Sequence, residues 1–240
     1  MNVIAVTQKG LNKIENEDRI IIGKTIVANG TLFSEITDGI IAIADGVGGQ
    51  NAGSVASHFV ANSICSMSEI TVNQLKEINN ELIKASEDNE EQKGMATTLS
   101  GVCIGDSNTQ LFSIGNTRVY LLQSRKYLKQ LTTDDTTLNY LFATGQLSAE
   151  DAKSFERKNE ITACFGGGSS DLFKVKVSHI EPLTAPIMIT SDGIHDHLSV
   201  DKMEEIIEEH GLSENACVEL IKAARNNGSV DDASVVLGGV

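Results

Sequence analysis

The chain has 240 residues, 40% of them hydrophobic, and a formal charge of −14 from 33 acidic and 19 basic side chains. That length suits one large domain, or at most two small ones, with ample core, and no apolar run reaches the roughly 18 residues a membrane helix needs. So acidic a surface repels phosphate backbones, and no tryptophan and 4% aromatics leave little to stack bases on, so neither nucleic acid nor a membrane is an expected partner. The opening MNVIAVTQKG lacks a basic lead and a long apolar stretch and does not read as a signal peptide. Cys65, Cys103, Cys164 and Cys217 lie far apart with no CxxC and read as reduced core residues in a reducing compartment.

In chain order, the first half opens with extended segments, Asp18 to Ala28 being rich in Ile and Val. Asp38-Gly39 is a turn signal between two apolar runs, which predicts a hairpin of Leu32–Thr37 with Ile40–Ala44. The period then changes. Ala52, Val55, Ala56, Phe59, Ser63 and Met67 fall at helical spacing, as do Leu75, Ile78, Leu82 and Ala85. After Gly94, Thr97–Gly105, Gln110–Gly115, Arg118–Gln123 and Tyr127–Leu131 are separated by turn-like segments and predict an antiparallel meander. A polar stretch from Asp134 to Gly168 holds a short helix over Thr136 to Ala143. Strands over Phe173–Ile180 and Pro186–Thr190 follow, then two helices, one with Met203, Ile206 and Ile207, the other with Cys217, Leu220, Ile221 and Ala224, and a last strand over Ala233–Leu237. Antiparallel strands with helices segregated in pairs predict a layered α+β domain, two sheets face to face with helices outside.

Three acids share one context. Asp45 ends IIAIA and precedes Gly46; Asp192 ends PIMITS and precedes Gly193; Asp231 stands in NNGSVDDASVVL at the entrance to the last strand. Glu17-Asp18 adds a fourth acidic point at the start of a strand. Neighbouring strand ends bring such residues together although the sequence separates them. Converging carboxylates in an apolar setting repel one another, and a divalent cation removes the conflict. Oxygen-only ligands favour Mg²⁺ or Mn²⁺ over zinc. A lone Asp-Gly pair is otherwise an ordinary turn, as Asp38-Gly39 is expected to be.

On these residues the chain resembles the metal-dependent protein phosphatases of type 2C, in their bacterial form. KGLNKIENED, ADGVGGQNAGSVAS, GMATTLSGV, FSIGNTRVYLL, LKQLTTDDT, RKNEITACFG, ITSDGIHDHLS and GSVDDASVVL match the family's motifs in order and nearly end to end. The resemblance implies a four-layer αββα sandwich, two antiparallel sheets flanked by pairs of antiparallel helices, with residues 1–240 as one catalytic domain and a variable flap at about 134–168. It implies a cytoplasmic Ser/Thr phosphoprotein phosphatase, opposing a cognate Ser/Thr kinase and acting on phosphoserine and phosphothreonine proteins. It also implies roles: Asp45 bridging two Mg²⁺ or Mn²⁺ ions with the Gly46 carbonyl assisting, Asp192 and Asp231 completing one ion, Glu17 approaching the other, Asp18 orienting water, and a metal-bridging hydroxide attacking phosphorus in line.

The chain departs from the pattern at three places. Lys13 stands where an arginine usually grips phosphate, giving charge without a bidentate fork. Asn116 replaces an aspartate linked to a third metal, so a weak or missing third site is expected. Val47 stands where animal members often carry a histidine able to protonate the leaving group, and His58, His179, His195, His197 and His210 are poor substitutes, although His195 and His197 follow Asp192 and are expected near the site. Asp134 and Asp135 read as solvated flap acids. The alternatives are a weakly active or inactive relative serving as a signalling or binding domain, and a hydrolase of small phosphate esters or an anti-sigma-type regulator.

Overall fold

The computed structural model describes residues 1–47, 52–87, 89–105, 108–148 and 150–239. Gly48 and Gly49, expected to turn the chain from strand into helix, lie outside the described residues. One sheet has the order β10-β9-β13-β14-β1-β4, from Tyr127–Gln130 (β10), Arg118–Gln123 (β9), Ile187–Thr190 (β13), Ala233–Gly238 (β14), Asn2–Gln8 (β1) and Gly30–Glu35 (β4). The other runs β11-β6-β5-β7-β8-β12, from Phe165–Gly166 (β11), Ala96–Thr97 (β6), Gly39–Val47 (β5), Leu99–Ile104 (β7), Thr109–Ile114 (β8) and Lys176–Ile180 (β12), while Asp18–Ile22 (β2) pairs with β5 and with Thr25–Val27 (β3). Every strand pair among the described residues is antiparallel.

The period-two pleat sorts side chains into three cores. Ile20, Ile22, Ile41, Ile43, Val3, Ala5, Ile187, Ile189 and Val236 point between the sheets. Ile21, Ile40, Ala42 and Ala44 point outward onto Ala52–Ile64 (α1) and Val72–Glu87 (α2). Ile4, Val6, Met188, Val235 and Leu237 point the other way onto Val200–His210 (α5) and Glu214–Asn226 (α6). Serine hydroxyls start both later helices, Ser199 accepting from the Lys202 N–H and Ser213 from the Ala216 N–H. Gly211 ends α5 at φ 66°, where a side chain would be strained. The layers are therefore helix pair, sheet, sheet, helix pair, as expected, and a short helix, Thr137–Ala143 (α3), follows β10.

Three expectations fail. Leu32–Thr37 and Ile40–Ala44 do not form a hairpin: β4 pairs with β1 in one sheet, and β5 lies between β2 and β7 in the other. The Met1 carbonyl accepts from the Ile36 N–H at 2.9 Å and keeps the chain on β1 up to the crossing, so Asp38-Gly39 carries it from sheet to sheet. The four-strand meander is likewise two hairpins, β7–β8 and β9–β10, in different sheets. The link Gly115–Thr117 crosses between them, and β9 takes β13 as its second neighbour. A turn signal marks a reversal without saying which layer receives the next strand. In α1 the buried face is Ala52, Ala56, Val60, Ala61 and Ile64, so Val55 is exposed rather than in the core.

Candidate active site

β2 and β5 run antiparallel with Asp18 directly opposite Asp45. In the facing sheet β13 and β14 are neighbours; Asp192 follows the first by two residues and Asp231 precedes the second by two. Asp192 opens Asp192–His195 (α4), a one-turn helix that takes the chain off the strand end. The strand termini thus bring acids from four distant segments to one rim, and the Ser234 hydroxyl of β14 donates across the sheets to Asp18 Oδ2 at 2.6 Å.

Asp45 is fixed through its backbone. Its N–H donates to Thr98 Oγ1 at 3.2 Å, and its carbonyl accepts from the Thr98 N–H and the Thr97 hydroxyl at 2.9 Å each. Its carboxylate Oδ2 is buried with no hydrogen-bond partner, and so is Asp18 Oδ1. Burial pushes the Asp18 carboxyl up to about 7, with the charges of Asp232 and Asp192 adding to it against the Ser234 hydrogen bond. Burial also pushes Asp45 well up, helped by the charges of Asp192, Asp18 and Asp231, and raises Asp192, helped by Asp231. Two unpaired buried oxygens within a group of mutually repelling carboxylates give a donor set that suits a hard divalent cation. Among the described residues no three acidic, histidine or cysteine side chains already close into a chelate, so the fit lies in donor chemistry rather than in a preformed cage.

Glu17 is held on three sides. Its N–H donates to Asp232 Oδ2 at 2.8 Å, and its carbonyl accepts from the Gly46 N–H at 3.2 Å and the Ser57 hydroxyl at 2.5 Å. Gly46 has no room for a side chain: a Cβ would run into the Gly53 carbonyl and stand 2.8 Å from the Glu17 carbonyl oxygen. Lys13 ion-pairs with Glu17, and with Asp231 at 3.1 Å. Burial opposes its charge, but the hydrogen bond to Glu17 and the charge of Asp231 outweigh burial and hold the ammonium above the ordinary lysine value. Asn116 turns its amide nitrogen, not its carbonyl, toward Asp192 Oδ2 at 3.0 Å.

The family model described as Protein phosphatase 2C matches residues 31–216. The chain belongs to the protein phosphatase 2C family. Its curated relatives are named serine/threonine and protein phosphatases, and the chain is an enzyme of that class. The serine/threonine phosphatase stp of Listeria monocytogenes is 30% identical over 96% of this chain and 92% of its own length. Among solved structures, the serine/threonine phosphatase Stp1 from Staphylococcus aureus superposes with a TM-score of 0.79 at 25% identity, covering 98% of this chain and 93% of that one. The catalytic domain of the phosphatase PstP in complex with two manganese ions gives a TM-score of 0.75 at 24% identity, covering 99% and 98%.

Within this 2C phosphatase, several structural roles escaped the sequence. Asp134 is not a solvated acid: it is 8% exposed and accepts from Arg118 Nε and Nη2, the latter at 2.6 Å. Asp135 accepts from the Gly115 N–H at 3.1 Å and pairs with Lys176, so it ties the following segment to the β8–β9 crossing. His195 is buried with Nδ1 on the Thr190 hydroxyl at 2.8 Å, and burial, aided by the Arg118 charge, lowers it well below the ordinary imidazole value. Asp196 is raised to about 6 by burial and by Asp192, and Asn159 donates to it. Asp232, passed over beside Asp231, is 3% exposed and accepts two backbone N–H groups, whereas the Asp231 side chain is 49% exposed. The doubled acid in VDDAS was the available signal.

Proposed function

We propose that this phosphatase is a divalent-metal-dependent Ser/Thr phosphoprotein phosphatase. Residues 1–240 act as one catalytic domain, and its substrates are cytoplasmic phosphoserine and phosphothreonine proteins made by a cognate kinase. The observation that carries the reading is the register pairing of Asp18 with Asp45, each with an unpaired buried oxygen, beside a third raised carboxyl at Asp192. Glu17, Asp45, the Gly46 carbonyl, Asp192 and Asp231 are the groups that would hold Mg²⁺ or Mn²⁺. When bound there, the ions supply a water acidic enough to yield a nucleophile near neutral pH and neutralise phosphoryl oxygens.

The chain's own residues do the rest. Lys13 offers the phosphate a point charge from the loop that also presents Glu17. Asp18, steadied by Ser234, has an unpaired buried Oδ1 that would orient water at the ions. Asn116 brings an amide and no charge to Asp192, so a third cation is held weakly. No side chain is assigned the leaving-group proton: Val47 has none to give, and His195 is buried, biased by burial toward its uncharged form and bound to Thr190. That proton comes from water. The segment at about 134–168 serves as a flap that selects substrates, tied to β9 and the β8–β9 crossing by Asp134 and Asp135 and to Asp196, four residues past Asp192, by Asn159.

A second reading, a weakly active or inactive signalling domain, is favoured by one feature: Lys13 engages Glu17 and Asp231, two of the proposed metal ligands. Phosphate release from p-nitrophenyl phosphate and a phosphothreonine peptide separates the two. Turnover that needs Mn²⁺ and disappears in Asp192→Ala supports the first. Mn²⁺ binding by calorimetry without turnover supports the second, and neither binding nor turnover sinks the metal-dependent reading. Hydrolysis of the small ester alone points to a small-molecule phosphatase.

A further inference from the structure

The loop from Gly10 to Glu17 carries both Lys13 and Glu17, yet it contains no helix or strand. Something outside the loop must set its shape. Asp232 reaches it from the start of β14 and accepts the Gly10 N–H on Oδ1 at 2.7 Å and the Glu17 N–H on Oδ2 at 2.8 Å. Both distances fall in the short range of charge-assisted bonds. The two donors bracket the loop, so one buried carboxylate closes it like a clasp. Lys13 Nζ lies 3.9 Å from the same Oδ2 and offsets part of its charge.

Asp232 is itself closely packed and braced. Any Cβ at Gly193 would collide with its carbonyl oxygen, so the α4 start packs tightly on its backbone. Arg225, from α6, donates to the carbonyls of Asp231, of Ser229 at 3.3 Å and of Lys9 at 3.1 Å. Gly10 also has no spare room, with the Val230 carbonyl oxygen 2.6 Å from a notional Cβ. The loop's entry and exit are thus fixed to the same residue, Asp232, immediately before the last strand.

In this pose, with one N–H on each oxygen, an amide does only half of this work. Asparagine has one acceptor oxygen and one NH₂, and the NH₂ would face a backbone N–H. One buried donor would lose its partner. We infer that Asp232 is a positioning residue that, through its two backbone hydrogen bonds, holds the Gly10–Glu17 loop in the shape that presents Lys13 to the substrate phosphate and Glu17 to the metal; this rests on the phosphatase reading above.

Amide hydrogen exchange and kinetics on the intact chain test it. In the wild type, the Gly10 and Glu17 amides exchange far more slowly than those of the exposed residues Asn12 and Ile14. In Asp232→Asn that protection drops at least tenfold at one or both positions, Mn²⁺ binding by calorimetry weakens about tenfold, and KM for a phosphothreonine peptide rises more than kcat falls. Lys13→Ala raises KM in the wild type but adds little in the Asp232→Asn background, because Lys13 is already displaced; a residue that only stabilised the fold would leave the Lys13 effect intact. Equal exchange of all four amides in the wild type would overturn the inference without any variant, and covers the case in which Asp232→Asn does not fold. Unchanged protection, Mn²⁺ affinity and KM in a folded Asp232→Asn would also overturn it. A wild type that never hydrolyses phosphopeptides refutes the phosphatase reading instead, while amide exchange still judges the clasp.

Discussion

Lys13 is the side chain whose chemistry differs most from a guanidinium grip. Its three donors rotate freely about one point, where arginine would present a planar fork. Loss of one charge-assisted hydrogen bond costs about 1.5–3 kcal/mol, so Lys13→Ala should raise KM for a phosphopeptide by about 10- to 100-fold. Lys13→Arg should lower KM; an unchanged KM in both variants would make Lys13 a bystander. Asn116 poses the complementary case. Asn116→Asp replaces a donor 3.0 Å from Asp192 Oδ2 with a second carboxylate. With a chelator present the variant should melt lower than the wild type, because two buried like charges repel. With excess Mn²⁺ it should bind more metal per chain by calorimetry. Equal stoichiometry in both proteins would detach Asn116 from the third site.

At the scale of elements, the site depends on strand ends held by contacts that carry no chemistry. Arg118 at the head of β9 and Asp134 form a largely buried bidentate pair. Removing one partner leaves the other charge uncompensated, so Arg118→Ala should lose about 3 kcal/mol of stability, read by urea denaturation. A loss below about 1 kcal/mol would mean the pair is solvated. These acids show where sequence reading stopped. Period-two alternation in IIAIA and III, and helical spacing in α5 and α6, made strands and helices legible, because burial repeats with the geometry of each element. The partners of β4 and β9 were not legible, since a turn does not name the sheet that follows it. Asp134, Asp135 and Asp232 look like loop acids in sequence because their partners, Arg118, Gly115, Gly10 and Glu17, are supplied by other elements. Asp45, Asp192 and Glu17 could be singled out because each stands at a change from apolar run to glycine or to strand.

Over the whole molecule, two sheets press strand ends from both sides into one acidic rim on a chain of formal charge −14. The cost of that arrangement should appear as a pH dependence. Asp18 has an ordinary value of 3.8 and is raised to about 7 in the fold. The folded chain therefore binds this proton more tightly than the unfolded one. In the presence of a chelator, stability should fall as pH rises from about 4 to about 7, by at most about 4 kcal/mol from this group, and level off above. Asp45 and Asp192, shifted the same way, steepen the fall. Mn²⁺ should restore melting temperature most strongly above pH 7, where the carboxylates are ionised. A chelated protein that is more stable at pH 8 than at pH 5 would contradict the raised values. The most direct test of the central claim is phosphate release from a phosphothreonine peptide by the wild type and by Asp45→Asn, titrated with Mn²⁺ at pH 7.5. The site described here predicts turnover that requires Mn²⁺ in the wild type and a loss of at least about 100-fold in Asp45→Asn. Equal turnover by the two proteins, or turnover indifferent to Mn²⁺ after chelation, would contradict it.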